Sequence, residues 1–113
     1  MSEFVRACGV DDVEVGAALA VEVDGTDVAI VRTDDGVYAI HDECSHASVA
    51  LSEGEINPAA CEIECWLHGS MFDLRTGKPT GLPATEPVAV YPCKVDGTDV
   101  LVDVAHPLNE TEL

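Results

Sequence analysis

Two short segments of the chain carry the residue types that bind transition-metal ions. Cys44 and His46 are separated by one residue, and Cys65 and His68 are separated by two. Eighteen residues lie between the two pairs. Thiolates and imidazoles are the side chains that bind zinc and iron in proteins. The spacing therefore predicts a four-ligand metal site built from two loops, each of which contributes one cysteine and one histidine.

The order of the ligands distinguishes two kinds of metal site. Structural zinc accepts two cysteines and two histidines, but both cysteines usually come from one loop and both histidines from a helix. One cysteine and one histidine per loop favours a two-iron cluster in which one iron takes both thiolates and the other both imidazoles. Two ferric ions, two sulfides and two thiolates sum to zero charge, and a neutral centre accepts an electron more readily than one with four thiolates. Zinc remains the alternative.

The segments on both sides of these pairs have the pattern of β-strands. Valine is abundant and aromatic residues are few, which favours strands with a branched aliphatic core. Residues 18–23 alternate in the way expected of a half-buried strand. The hexapeptide V-D-G-T-D-V occurs at 23–28 and again at 95–100, and an Asp-Gly pair also stands at 35–36. Each Asp-Gly pair predicts a hairpin turn, because both residues tolerate positive φ.

The middle of the chain differs in composition from its ends. Glycine, proline, cysteine and histidine concentrate within residues 42–87, and the alternation fades there. We expect a set of cluster-binding loops at 42–87, inserted into a β base formed by residues 1–41 and 88–113. A chain of 113 residues has room for one domain of ordinary size, so the prediction is a single all-β domain.

Several longer motifs resemble those of a known family, the Rieske [2Fe–2S] proteins. Residues 65–77 are similar to the second cluster loop and the turn after it, and residues 81–84 resemble the proline-containing third loop. Among subfamilies the chain looks most like the soluble ferredoxins that serve multicomponent non-haem iron oxygenases such as aromatic-ring dioxygenases. The resemblance implies an antiparallel β sandwich or barrel with an inserted cluster-binding subdomain, and one [2Fe–2S] cluster per chain.

The resemblance also implies roles for the four ligands. Cys44 and Cys65 would hold the inner iron, and His46 and His68 would hold the outer iron. The imidazoles would lie near the surface and provide the exit for an electron.

Four further residues take their roles from the same resemblance. Ser70 is a candidate donor of a hydrogen bond to a bridging sulfide, and Pro83 belongs to the loop that covers the cluster. Phe72 stands where high-potential relatives carry a tyrosine, so we expect a potential in the low part of the Rieske range. Trp66 stands where many relatives have proline, and we consider it for loop packing and for partner contact.

The charge of the chain restricts its partners and its location. Acidic residues number 22 and basic residues 5, a formal net charge of −17. Such a chain repels nucleic-acid phosphates and anionic membrane surfaces, so we expect neither as a partner and favour a protein with a basic surface. The N-terminus lacks a cationic segment followed by an apolar run, and we expect a cytoplasmic monomer. In a reducing compartment, Cys8, Cys61 and Cys93 are expected to be small buried apolar residues.

These inferences combine into one principal functional hypothesis. The protein would carry one electron at a time from a flavoprotein reductase that oxidises NADH or NADPH to the Rieske centre of a terminal non-haem iron oxygenase. It would not itself be an enzyme, because the sequence contains neither a nucleophile with its base nor a phosphate-binding loop. Two alternatives are a small Rieske subunit of a nitrite reductase-like enzyme and a Rieske protein associated with iron–sulfur cluster assembly.

Overall fold

The computed structural model describes residues 4–34, 36–43, 49–57, 59, 61–66, 69–80, 87–105 and 107–108. Regular structure in this part of the chain consists of antiparallel strands and short 3₁₀ helices, which confirms the all-β prediction. None of its helices is long and apolar enough to cross a membrane. In chain order the elements are β1 (Val5–Gly9), η1 (Val10–Asp12), β2 (Ala17–Val23), β3 (Thr26–Arg32), β4 (Val37–His41), η2 (Leu51–Glu53), β5 (Ile56–Asn57), β6 (Glu62–Glu64), β7 (Met71–Asp73), β8 (Val90–Tyr91), β9 (Cys93–Asp96) and β10 (Asp99–Val102).

Two sheets combine strands from both ends of the chain. One has the order β1-β10-β9 and the other the order β2-β3-β4-β8. In the second sheet Ile40 pairs with Val90 and Ala39 pairs with Tyr91. The amide of His41 extends this contact by donating a hydrogen bond to the carbonyl of Ala89, at 2.9 Å. These contacts bring residues 39–41 and 89–91 together. Both predicted ligand segments lie between these two stretches of the chain.

The first copy of the repeated hexapeptide, at 23–28, forms the predicted hairpin between β2 and β3. Val23 pairs with Thr26, which leaves Asp24 and Gly25 as the two turn residues. Both have positive φ, 50° for Asp24 and 80° for Gly25. Two consecutive positive φ values are the mark of a type I′ turn, whose twist matches that of the flanking strands.

The second copy, at 95–100, also forms a hairpin, between β9 and β10, but in a different register. Asp96 pairs with Asp99, so the turn lies one residue later along the motif. Gly97 takes the first central position with φ 65°, the arrangement of a type II′ turn. A shift of one residue moves a side chain to the other face of a strand. Val95 is accordingly 46% exposed, whereas the first valine of the other copy is buried.

The segment 42–87 contains more regular structure than the expected set of loops. Strands β5, β6 and β7 form a third antiparallel sheet, and η2 precedes them. Ile63 of β6 pairs with Ile56 on one side and with Phe72 on the other. Each of these strands has only two or three residues, so its alternation is too short to be recognised in the sequence.

Strand β3 separates two buried clusters of side chains. Val28 and Ile30 belong to one cluster, and Ala29 and Val31 belong to the other. All four are fully buried because successive residues of a strand face opposite sides of the sheet. The cluster on the Ala29 side also contains Cys65 and residues of the third sheet. The candidate metal site therefore shares its core with the central sheet.

Candidate metal centre

The second ligand segment is a turn closed by its own backbone. The amide of Cys65 donates to the carbonyl of Ser70 at 2.7 Å, and the amide of Gly69 donates to the carbonyl of Cys65 at 2.9 Å. Gly69 has φ 77°, and nothing lies within 4 Å of the position where a Cβ would stand. Glycine is therefore required there for its backbone angle and not for space. Both hydrogen bonds fix the start of this segment relative to its end.

Burial divides the residues of this segment between two sides. Cys65, Ser70 and Phe72 are fully buried, whereas Trp66 is 50% exposed. Cys65 and Phe72 belong to the same buried cluster, together with Leu51. Cys65, Ser70 and Phe72 thus lie on the core side of the segment. Trp66, the candidate partner contact, lies on the solvent side.

The first ligand segment is held at its described ends by a buried carboxylate. Asp42 Oδ1 accepts a hydrogen bond from the amide of Ser52 at 2.7 Å, and Asp42 Oδ2 accepts one from the Ser52 hydroxyl at 2.8 Å. The amide of Asp42 itself donates to the carbonyl of Asp27 at 3.0 Å. Leu51, next to Ser52, lies in the buried cluster that contains Cys65. The described ends of both segments therefore reach one core.

Of the four predicted ligands, the structure describes Cys65. The other three, Cys44, His46 and His68, lie outside the described residues, as does Pro83. Within the described part, no three or more histidine, cysteine, aspartate or glutamate side chains are placed to hold a metal ion. A fully buried thiol at the start of a closed turn, with a buried hydroxyl at its end, suits a [2Fe–2S] cluster, which takes thiolate ligands and hydrogen bonds to its sulfurs.

The remaining described cysteines behave largely as small apolar residues. Cys8 and Cys61 are 5% and 2% exposed, which confirms that prediction for both. Burial raises the pKa of the Cys8 thiol. Cys93 is only partly buried by surface area, yet removal of its thiol from water raises its pKa to about 12. Neither Cys8 nor Cys93 is therefore a thiolate at neutral pH.

Sequence reasoning missed three residues that shape the site. Asp42 and Ser52 are far enough apart in the chain that no local pattern connects them. Gly54 has ordinary backbone angles, φ −85° and ψ 176°, so it differs from a turn glycine. A Cβ on Gly54 would overlap the carbonyl oxygen of Glu64. The only signal in the sequence is a glycine placed just before a short strand, which also fits an ordinary loop.

Arg6, Arg32 and Lys94 are basic side chains that make local contacts within the described part of the chain. Arg6 Nε lies 2.8 Å from Asp99 Oδ1, and this hydrogen bond raises the pKa of Arg6. Arg32 donates to two backbone carbonyls, at 3.1 and 3.2 Å. Lys94 Nζ stands over the ring of Phe4, 4.4 Å from its centroid. Since 22 acidic residues face only 5 basic ones, most of the negative charge has no cation beside it.

Comparison with protein families and curated proteins identifies relatives of nearly the whole chain. A family model described as the Rieske [2Fe-2S] domain matches residues 3–92. The chain is 44% identical over 100 residues to the biphenyl dioxygenase ferredoxin subunit of Pseudomonas sp. strain KKS102, which is 88% of this chain and 91% of that protein.

Solved structures give the same result. The ferredoxin of carbazole 1,9a-dioxygenase from Nocardioides aromaticivorans IC177 is 46% identical with a TM-score of 0.86, over 90% of this chain and 98% of that one. A chain from the complex of reduced oxygenase and oxidized ferredoxin in carbazole 1,9a-dioxygenase is 31% identical with a TM-score of 0.83, over 100% and 99%. A protein described as an NADH-dependent nitrite reductase small subunit from Mycobacterium tuberculosis is 25% identical with a TM-score of 0.80, over 90% and 95%.

Proposed function

The chain belongs to the Rieske [2Fe–2S] family, and we propose that it carries single electrons from a flavoprotein reductase, which oxidises NADH or NADPH, to a terminal non-haem iron oxygenase. The observation that carries the proposal is its similarity to a dioxygenase ferredoxin subunit over nearly the full length of both chains. The chain binds one [2Fe–2S] cluster, as its family does. In this role it is an electron-transfer component and not itself an enzyme.

We assign the four ligands by the motif that defines the two loops. Cys44 and Cys65 hold one iron through their thiolates, and His46 and His68 hold the other through their imidazoles. When bound, the cluster supplies a centre that takes up and releases one electron. The complete burial of Cys65 supports the assignment, because the thiolate end of the site must be shielded from water.

The surroundings of the ligands adjust the affinity for that electron. We assign the Ser70 hydroxyl as a hydrogen-bond donor to a cluster sulfur, which its burial close to Cys65 supports. Phe72 is buried in the same region but has no hydroxyl to donate. Pro83 lies outside the described residues, and we assign it by the family resemblance to a loop that would cover the cluster. A site with one hydrogen-bond donor stabilises the negative charge of the reduced cluster less than a site with two. The midpoint potential therefore lies in the low part of the Rieske range.

The outer surface of the second loop is proposed as the contact for both redox partners. Trp66 exposes half of its surface there, beside a ligand. The surplus of acidic side chains favours partners with a basic surface and disfavours nucleic acid and anionic membranes. We further propose that the protein acts as a monomer in the cytoplasm, where Cys8, Cys61 and Cys93 stay free of disulfides, as the structure has them.

A second role is favoured by one observation, the structural similarity to an NADH-dependent nitrite reductase small subunit. In that role the domain would remain bound to a large catalytic chain. The identity of 25% is well below the 44% shared with the biphenyl dioxygenase ferredoxin subunit. The carrier role is therefore the first proposal.

Reconstitution distinguishes the two roles. Iron, acid-labile sulfide and the electron paramagnetic resonance spectrum of the dithionite-reduced protein would first establish the cluster. The protein would then be added to the reductase and oxygenase of a biphenyl dioxygenase system with NADH and biphenyl. We expect product formation that depends on the added protein. Absence of product, together with restored nitrite reduction by the large chain of a nitrite reductase, would replace the first role with the second.

Two cysteine variants provide the matched control for this experiment. Cys65→Ser removes a proposed ligand and should abolish the cluster signal and all electron transfer. Cys93→Ser alters a cysteine on β9 of the base and should leave both intact. Loss of the cluster from both variants to the same degree would contradict the ligand assignment.

A further inference from the structure

A carboxylate joins the two described ends of the first ligand segment. Asp42 directly follows β4, and Ser52 lies ten residues later, in η2. Both oxygens of the Asp42 carboxylate are used by Ser52, one by its amide and one by its hydroxyl. Asp42 is only 9% exposed, so water competes weakly for these bonds. Cys44 and His46 lie in the chain closed by this contact.

A close backbone approach then joins this segment to the second one. A Cβ at Gly54 would overlap the carbonyl oxygen of Glu64, the residue before Cys65. The amide of Glu64 donates to the carbonyl of Glu55 at 2.8 Å. The chain after Ser52 therefore runs against the strand that leads directly into the second loop. Glycine at 54 is required by this contact, since its backbone angles are accessible to any residue.

Leu51 of η2 connects the Asp42–Ser52 contact with the Gly54–Glu64 contact. The amide of Gly54 donates to the carbonyl of Leu51 at 2.9 Å, and Leu51 is fully buried in the cluster that contains Cys65. Beyond Gly54, Ile56 pairs with Ile63 across β5 and β6. From Asp42 to Cys65 the path thus consists of hydrogen bonds, a buried side chain and a backbone contact.

We propose that Asp42, Ser52 and Gly54 act as positioning residues that hold the two ligand loops at the separation the cluster requires. The inference rests on the ligand assignment given above. Four ligands on two loops bind a rigid cluster tightly only if the loops are already in place, because ordering them on binding costs conformational entropy. Groups that orient ligands from outside the ligand set typically change metal affinity by about 10- to 100-fold when removed.

Iron release from the purified holoprotein tests the proposal. Asp42→Ala removes both bonds to Ser52, and we expect an excess of ferrous chelator to extract iron from the dithionite-reduced protein about tenfold faster than from the wild type. Asp42→Asn should release iron at close to the wild-type rate. The side-chain oxygen of asparagine can accept from the backbone amide of Ser52, and its side-chain nitrogen can donate to the Ser52 hydroxyl. Gly54→Ala should release iron at least as fast as Asp42→Ala. In the electron paramagnetic resonance spectrum of the reduced protein, the lines should broaden in the fast-releasing variants only.

Two control variants separate positioning from general stability. Asp103 is a buried carboxylate of the base that accepts a hydrogen bond from Ala105 at 3.0 Å, and Asp103→Ala should lower the thermal midpoint without accelerating iron release. A Cβ on Gly9 meets a flexible Asp12 oxygen at 3.1 Å, so Gly9→Ala is the control for Gly54→Ala. Equal release rates in Asp42→Ala and Asp103→Ala would overturn the proposal.

The outcome for Asp42, Ser52 and Gly54, which together we call the brace, is independent of the carrier role. Ser52→Ala removes only the hydroxyl bond and provides a milder variant if Asp42→Ala or Gly54→Ala does not fold; we expect a rate between those of the wild type and Asp42→Ala. A wild-type rate for Ser52→Ala and for every folded variant of the other two residues would also overturn it. Failure of oxygenase turnover in the wild type would contradict only the proposed function, since iron release is measured without any partner.

Discussion

Cys65 and Trp66 are neighbours in the chain, yet Cys65 is fully buried and Trp66 exposes half of its surface. An indole in contact with solvent therefore stands one residue from a proposed ligand. Tryptophan is enriched among the residues that contribute most to protein interfaces, because it brings a large rigid surface. Trp66 is therefore an exposed residue suited to docking, directly next to a proposed ligand.

We expect Trp66→Ala to lower kcat/KM for electron transfer to the oxygenase by about tenfold, which corresponds to roughly 1.4 kcal/mol. The midpoint potential should stay unchanged, since the indole is on the solvent side of the loop. Stopped-flow oxidation of the reduced protein at several oxygenase concentrations measures the rate, and a redox titration measures the potential.

Val95→Ala is the control for this substitution. Val95 is 46% exposed but lies on β9, in the sheet β1-β10-β9. Its removal should leave kcat/KM within experimental error of the wild type. A loss equal to that of Trp66→Ala would show that the apolar surface in general, and not this loop, determines the rate.

Phe72→Tyr should raise the midpoint potential. Phe72 is fully buried in the cluster that contains Cys65, so we expect an added hydroxyl to donate to the proposed Cys65 thiolate. A hydrogen bond that is stronger by about 1 kcal/mol in the reduced state raises a one-electron potential by roughly 40 mV. A redox titration followed by visible absorbance measures the shift.

The only other phenylalanine of the chain provides the comparison. Phe4 lies under Lys94 in the base, and Phe4→Tyr adds the same hydroxyl there, so its potential should equal that of the wild type. If Phe72→Tyr folds and keeps its cluster but its potential does not move, the tyrosine hydroxyl does not reach a cluster sulfur. A buried hydroxyl without a partner would instead lower stability by about 1–3 kcal/mol.

Reduction by the reductase should slow as salt is added. Because the chain has a formal net charge of −17, its surface has a strong negative field that attracts a basic partner. The Debye length is about 10 Å at 0.1 M salt, so this long-range attraction is screened as ionic strength rises. Second-order rate constants over an ionic-strength series provide the test, and a flat series would assign the acidic surface to solubility alone.

Charge-neutralising variants locate the surface that attracts the partner. Glu53 and Glu55 are exposed and flank Gly54 beside the ligand loops, so the double variant with glutamine at both positions should have a smaller salt dependence. Glu22 is exposed on β2 of the base, and Glu22→Gln serves as the control. Its salt dependence should remain close to that of the wild type.

Alkaline pH should destabilise the fold through Cys93. Burial raises the pKa of its thiol to about 12, above the usual range that applies in the unfolded chain. The unfolded chain therefore ionises first, and stability is lost as the pH rises from the usual thiol range towards 12. Cys93→Ala cannot ionise, so its free energy of unfolding should fall less between pH 8 and pH 10.5. Urea unfolding at each pH measures the difference.

A neighbouring residue controls for the effect of lost packing. Val102 pairs with Cys93 across β9 and β10 and is fully buried. Val102→Ala should lower stability by a similar amount at every pH, because it changes no ionisable group. If Cys93→Ala also loses stability in parallel with the wild type, ionisation of the thiol does not contribute to the alkaline loss.

The all-β class was predictable from the sequence because it depends on local patterns, and the ligand pairs stay a prediction from their spacing. Register was not predictable in this way. The hexapeptide at 23–28 and the same hexapeptide at 95–100 form turns of different type. Identical residues therefore adopt two registers, and the deciding factor is which side chains each hairpin buries against the rest of the molecule.

The brace and the third sheet escaped prediction for related reasons. The bond from Ser52 to Asp42 exists only because η2 packs near the end of β4, a contact that local sequence does not encode. Gly54 is required by the backbone of Glu64, which becomes its neighbour only after folding. Strands of two or three residues such as β5 and β6 are defined by their pairing partners and not by their own composition.

The pairing of Ile40 with Val90 has a consequence for how the protein is made. A ribosome delivers the chain from its N-terminus, so all four proposed ligands emerge before β8 exists. Until Tyr91 has left the exit tunnel, the two ends of the ligand-bearing segment cannot be joined by the pairing of β4 with β8. We therefore expect stable insertion of the cluster only after the ribosome has delivered the chain through Tyr91.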